Sequence, residues 1–319
     1  MSSDLVAGVI GCGHMGSNHV RVYSEMRGID FVLVYDPDTF AANRMKTLHG
    51  AYICDDVQCV LDDSDLVSIC TPTTSHMSVA CSAADANVPV LVEKPIAHSL
   101  DSARAMASLS FPVGSGVGHI ERFNPVVAHF VKHFVAPYYV SIRRHNPASR
   151  RVTGGSVVDD LMIHDVDLVQ HVLFGRQHSN MRSLSTEDYA HVLLDYSDHT
   201  IVSMSASRVG ACKVREIVAE CVEHTLVADL VTQELHVFHP PGAYMSLGGD
   251  YHQENLVERV AVPRVEPLKV ELATFADCVR NHTSFPVSFD DAVSNIEMCE
   301  AIKNDTSHCN CGRDCGSHQ

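Results

Sequence analysis

Short unbroken apolar runs at residues 6–10, 31–35, 66–70 and 88–92 punctuate the first part of the chain, with helical periodicity over 41–48, 77–86 and 100–109 between and after them. Runs of that length without polar alternation predict strands buried on both faces, as in a parallel sheet crossed by helices. A short strand at 51–53 and a helix over 55–61 opened by aspartates complete a βαβα rhythm. From residue 121 the rhythm changes. A helix over 123–134 and a strand over 138–143 lead into period-two alternation. Strands at 189–196 and 200–207 form a hairpin about Ser197-Asp198-His199, and further strands fall at 217–222, 225–230 and 234–238. Residues 240–254, with Pro-Pro and Gly-Gly, read as a loop, and helices over 268–280 and 290–303 close the pattern. The expected architecture is α/β: a doubly wound parallel sheet over 1–120, then an α+β domain over 121–305 with an open, mostly antiparallel sheet, and a Cys/His-containing tail over 306–319.

Composition narrows the partners. Lys and Arg number 23 against 39 Asp and Glu, a net charge of −16 that repels nucleic-acid backbones and anionic lipid. The first strand begins a few residues after Met1 and no apolar run reaches membrane-span length, so a cytoplasmic protein is expected. Nine of the 12 cysteines are scattered singly and read as small buried hydrophobes in a reducing compartment. Cys309, Cys311 and Cys315 lie in the tail among histidines; their spacing fits no structural zinc template, and a polar terminus without metal is expected there.

The chemistry starts behind the first strand. Gly11-Cys12-Gly13-His14-Met15-Gly16 follows it directly, and such spacing gives a tight turn, an open approach for a pyrophosphate, and close packing of the next helix. Asp36 stands 20 residues past Gly16 at the end of the second strand, where an acid accepts hydrogen bonds from an adenosine ribose. Together these predict a Rossmann domain holding NAD. Asp36-Pro37-Asp38 offers no cation to a 2′-phosphate, so NAD is expected over NADP. Two further turns leave the carboxyl ends of strands beside the same crevice: Thr71-Pro72-Thr73 with His76, and Glu93-Lys94-Pro95, which projects Lys94 toward the nicotinamide position.

A second constellation lies downstream. On a helix, Asp160 and His164 are four apart and Asp167 three further, so they share a face. A carboxylate one turn from an imidazole suits a proton acceptor in alcohol oxidation, although a solvated polar face has the same spacing. Just upstream, Arg143, Arg144, Arg150 and Arg151 fall within nine residues of an acidic chain. Arginine forks bind phosphate bidentately, which suggests a phosphorylated substrate such as a nucleotide sugar; pairing with nearby aspartates is the alternative.

Taken together, Gly11 to Gly16, Thr71-Pro72-Thr73 with His76, Glu93-Lys94-Pro95, and Asp160 with His164 in a D-x-x-x-H arrangement resemble the Gfo/Idh/MocA (glucose-fructose oxidoreductase and inositol dehydrogenase) family over residues 5–304. The resemblance implies an NAD-dependent sugar dehydrogenase with Lys94, Asp160 and His164 in the catalytic machinery. It also implies a carboxy-terminal sheet that forms dimers or tetramers. The run from Gly118 to Pro125, which brings in Arg122 and Asn124 as substrate contacts, is most similar to the branch oxidising UDP-N-acetylglucosamine at C3, whose 3-keto product feeds an aminotransferase. A dehydrogenase of a free polyol or aldose, and a non-catalytic NAD-sensing protein, are the competing expectations.

Overall fold

A computed structural model describes residues 4–147, 155–175, 177–245 and 251–305. The chain divides into two compact units, one made of residues up to Ala128 with Pro263–Glu297, the other of His129–Val262 with the chain from Met298.

In the first unit the apolar runs become β1 (Leu5–Ile10), β2 (Ile29–Tyr35), β3 (Tyr52–Ile53), β4 (Leu66–Ile69), β5 (Val90–Glu93) and β6 (Gly116–Gly118). They form one parallel sheet of order β3-β2-β1-β4-β5-β6. The order reverses between β1 and β4, and the crevice outside their carboxyl ends is where doubly wound sheets bind ligands. Helices α1 (His14–Ser24), α2 (Thr39–His49), α3 (Val57–Asp62), α4 (Thr73–Asp85) and α5 (Leu100–Ala107) connect the strands. Asp38, Asp56 and Ser99 cap α2, α3 and α5 through their side chains.

The division differs from the border expected at 120 with a second domain continuous to 305. After α6 (Pro125–His133) and the sheet domain, the chain returns in a long helix, Pro267–Asn281, that belongs to the first unit. Leu268, Leu272, Phe275 and Ala276 are buried there, Arg21 of α1 pairs with Glu266, and Lys269 pairs with Glu25 at 2.6 Å. Periodicity announces such a helix but not which sheet it covers.

The second unit is built on β7 (Pro137–His145), β8 (Asn180–Ser185), β9 (Tyr189–Asp195), β10 (Ile201–Ser207), β11 (Val214–Cys221), β12 (Thr225–Asp229) and β13 (Glu234–Phe238). With a last strand, Val257–Val260, they order as an eight-stranded sheet in which only β7 and β10 run parallel. One face carries the core, including Val140, Ile142, Val192, Val202, Met204, Ile217 and Leu226. A helix follows β7 whose ends are π-wound, Val158–Met162 and Leu168–Leu173, around an α-wound centre, α7 (Ile163–Asp167). The other face leaves Leu193, Ile201, Phe238 and Val257 exposed. The expected loop over 240–254 instead contains paired strands β14 (Gly242–Met245) and β15 (Tyr251–Glu254), which makes Val257–Val260 β16; the turn-forming prolines and glycines had masked their alternation. The long returning helix is α8 and the final one, Phe289–Asn304, is α9. The Cys/His tail, with Arg150 and Arg151, lies outside the described residues.

Candidate active site

The turn from β1 into α1 shows why its glycines are there. Gly11 has φ of +95°, and a Cβ on Gly16 would lie 1.8 Å from the Gly11 carbonyl oxygen. Any side chain at 16 would therefore push α1 off the strand. Around Gly13 a Cβ would meet nothing within 4 Å, so the backbone there is open to a ligand. No side chain caps α1, which leaves its first amides available to an anion. Asp36 is fixed beside them: Oδ2 accepts from the Cys12 N–H at 2.6 Å and Oδ1 from the Asp38 N–H at 2.8 Å. The residues present fit a dinucleotide.

A cavity of 780 Å³ follows these strand ends, within the range of about 300–1,000 Å³ usual for cofactor clefts. Gly11, Gly13, Met15 and Asp36 line it, joined by Thr71, Pro72, Glu93 and Lys94. Four expected cofactor contacts do not line it. Gly16 is packed beneath Gly11, Thr73 opens α4 without lining the cavity, and His76 is 1% exposed with Nε2 against the Thr71 carbonyl at 2.9 Å. His76 thus braces the Thr71 turn from behind, and burial pushes its pKa down. His14 borders a second cavity on the far side of the glycine turn.

Behind Lys94 sits a buried pair that sequence reading missed. His19 of α1 places Nε2 3.0 Å from Glu93 Oε1, and Glu93 Oε2 accepts the Lys94 N–H at 3.2 Å. Burial pushes the Glu93 carboxyl up, but the hydrogen bond from His19 and the His19 and Lys94 charges outweigh it, leaving Glu93 below its ordinary range. A histidine three residues past Gly16 was the available signal. Its partner, 74 residues away, was not readable.

In the second unit Asp160 and His164 are both partly exposed on the helix after β7, whereas Asp165 and Asp167 are buried. Asp160 is held by a residue that no motif singles out. Arg208, 2% exposed, donates Nη1 to the Gly155 carbonyl at 2.7 Å, and its Nη2 lies 3.3 Å from the Ser156 carbonyl and 3.4 Å from Asp160 Oδ2.

Several expected substrate contacts have partners within the fold. Arg144 is 2% exposed and its guanidinium grips Asp165 through Nε at 2.8 Å and Nη2 at 2.7 Å. Arg122 bonds Asp291 at 2.9 Å and the Pro286 carbonyl at 3.2 Å. Asn124 is buried, donates to Glu121 at 3.1 Å, and accepts from the Val126 N–H at the start of α6. Arg143 is exposed, and its Nε and Nη2 both donate to Glu216 Oε1, at 3.0 and 2.7 Å. An acidic chain gathers its arginines partly to satisfy its own carboxylates.

Fold and crevice define a dinucleotide-binding α/β protein with a second, mostly antiparallel sheet. Residues 5–110 match the oxidoreductase family with an NAD-binding Rossmann fold, and residues 125–223 match the Gfo/Idh/MocA C-terminal domain. The chain belongs to the Gfo/Idh/MocA family and is an NAD-binding oxidoreductase. It is 27% identical to a UDP-N-acetylglucosamine 3-dehydrogenase of Acidithiobacillus ferrooxidans, over 93% of this chain and 95% of that protein. To the scyllo-inositol 2-dehydrogenase (NAD(+)) of Bacillus subtilis it is 26% identical, over 95% and 94% of the two chains. Among solved structures, that of the A. ferrooxidans enzyme superposes with a TM-score of 0.83 at 24% identity, covering 96% of this chain and 98% of that one. Levoglucosan dehydrogenase in complex with NADH and levoglucosan superposes at 0.77 with 17% identity, covering 95% and 97%.

Proposed function

We propose that the chain oxidises a hydroxyl of a nucleotide sugar to a ketone, at C3 of a UDP-N-acetylhexosamine such as UDP-N-acetylglucosamine. The observation that carries this reading is the near full-length similarity to the A. ferrooxidans UDP-N-acetylglucosamine 3-dehydrogenase. NAD, when bound, supplies the two-electron acceptor. In this proposal His164 takes the proton of the reacting hydroxyl and Asp160, held by Arg208, orients it. Lys94 donates a hydrogen bond to the oxygen where negative charge develops, which lowers the barrier by fixed electrostatics. The His19–Glu93 pair anchors the backbone that presents Lys94.

A second reading, oxidation of a free polyol, is favoured by the similarity to scyllo-inositol 2-dehydrogenase. A panel of UDP-sugars, free aldoses and inositols assayed with NAD by NADH absorbance separates the two. Turnover of inositols but of no UDP-sugar overturns the first. An aminotransferase that traps the keto product would locate the oxidised carbon, and is the proposed partner in the reaction sequence. The exposed apolar residues of the open sheet face support a homo-oligomer formed through that face, a dimer or tetramer. Light scattering on wild type and on Ile201→Lys tests it: a monomeric wild type refutes the assembly.

A further inference from the structure

We infer that Arg44 gives this oxidoreductase a subsite for the 2′-phosphate of NADP, so that it takes both nicotinamide cofactors. The sequence around Asp36 shows no such cation. Arg44 lies eight residues further on, in the middle of α2. Folding brings it back. Its Nη2 lies 3.5 Å from the Cys12 carbonyl oxygen, while the N–H of the same Cys12 donates to Asp36 Oδ2 at 2.6 Å. One residue of the glycine turn therefore separates the acid that meets an adenosine ribose from a guanidinium.

Beyond Cys12 opens a second cavity of 760 Å³, which shares Gly13, Asp38 and Ala41 with the cofactor cavity and adds His14, Ser17 and Arg44. A group attached to the ribose at its 2′ position and projecting past Asp36 enters this space. Its charged walls are unequal. Arg21, also at its edge, is paired with Glu266 and Glu25, whereas Arg44 forms no ion pair among the described residues. Asp38, the acid on the wall, already accepts the Phe40 N–H at 2.9 Å as the cap of α2. Arg44 is thus an exposed arginine with no carboxylate partner among the described residues, beside a phosphate-ready turn, in a chain with a net charge of −16. A guanidinium fork matches a phosphate dianion bidentately. The Asp36 carboxylate repels that dianion, and Arg44 offsets the repulsion. Asp36 remains available to ribose hydroxyls, so NAD is retained.

The inference rests on the cofactor fold and not on which sugar is oxidised. The test is a fluorescence titration of the intact protein with NADH and with NADPH, for wild type, Arg44→Gln and Arg44→Lys. Wild type is expected to bind NADPH within about tenfold of NADH, and Arg44→Gln to lower the NADPH-to-NADH affinity ratio by about tenfold or more, with Arg44→Lys partly restoring it. Steeper weakening of NADPH than of NADH by added salt is also expected, as for a contact between full charges. Two outcomes overturn the inference. Wild type that binds NADH but not NADPH has no such subsite. Equal weakening of both cofactors by Arg44→Gln makes Arg44 a brace for the Cys12 carbonyl and nothing more. Failure to bind either cofactor would instead refute the dinucleotide assignment itself.

Discussion

Arg144 and Arg208 rank among the largest side chains with almost no exposure, and each turns its guanidinium inward in the second unit. Removing one member of a buried ion pair leaves the other charge unsolvated, at a cost of about 3–5 kcal/mol. Arg144→Met should therefore lower the urea midpoint by an amount in that range because it strands Asp165, which is 0% exposed. KM of the surviving folded enzyme should stay near that of wild type. A raised KM with unchanged stability would return Arg144 to substrate. Lys94 makes the opposite prediction: Lys94→Ala should reduce kcat by about 10²–10³-fold, the usual effect of losing one positioned donor or acid–base group. Measured by NADH absorbance with the substrate the panel identifies, intact turnover would refute its role. Residue types were legible here, whereas their partners were not. Glu93-Lys94-Pro95 and the glycine turn are local words whose geometry is set by neighbouring residues, so sequence places them. Arg144 reads as a phosphate ligand until the fold shows Asp165 beneath it.

At the level of elements, legibility followed burial. Strands β1, β2, β4 and β5 are apolar because helices cover both sides, and their runs stand out. β8 was not anticipated: Asn180–Ser185 is an edge strand of mostly exposed residues, tied down by Ser183, which donates its N–H to Asp305 Oδ2 at 2.7 Å and its hydroxyl to the Ile302 carbonyl at 2.7 Å. Helical spacing put Asp160, His164 and Asp167 on one face; in the structure Asp160 and His164 are partly exposed, whereas Asp167 is buried. Arg150 and Arg151, the remaining members of the arginine cluster, lie outside the described residues. If they meet a diphosphate, the double change Arg150→Ala/Arg151→Ala should raise KM for a UDP-sugar by about tenfold or more, with little change in kcat, because it removes binding common to ground and transition state. An unchanged KM in steady-state assays argues for the free-polyol reading.

For the whole molecule, no helix among the described residues is long and apolar enough to cross a membrane. Histidines dominate the expected response to mild acid. His76, His145 and His178 all have pKa values lowered from the ordinary 6.5 chiefly by burial. Below that value the unfolded chain binds protons that the folded chain refuses, so stability falls as pH drops; for His76, 1% exposed, the slope is up to about 1.4 kcal/mol per pH unit. Thermal melts from pH 7.5 down to about 5 should show falling Tm, and His76→Asn should flatten the curve. Glu93, whose carboxyl is held low, adds its own loss only at more acid pH. A flat wild-type profile across the histidine range would contradict the burial of these rings. The buried thiols carry a different consequence. Among the described residues only Cys212 is exposed; burial pushes Cys12 and Cys54 up to about 12 and Cys70 well above 9.0, with a Cys59 contact adding to the effect at Cys54. At neutral pH these sulfurs are poor nucleophiles until the surrounding structure opens. Alkylation followed cysteine by cysteine, with Cys212 as the fast internal standard, thereby becomes a clock for breathing of the nucleotide-binding turn, and its slowing under added cofactor would measure the energy by which the ligand holds that turn shut.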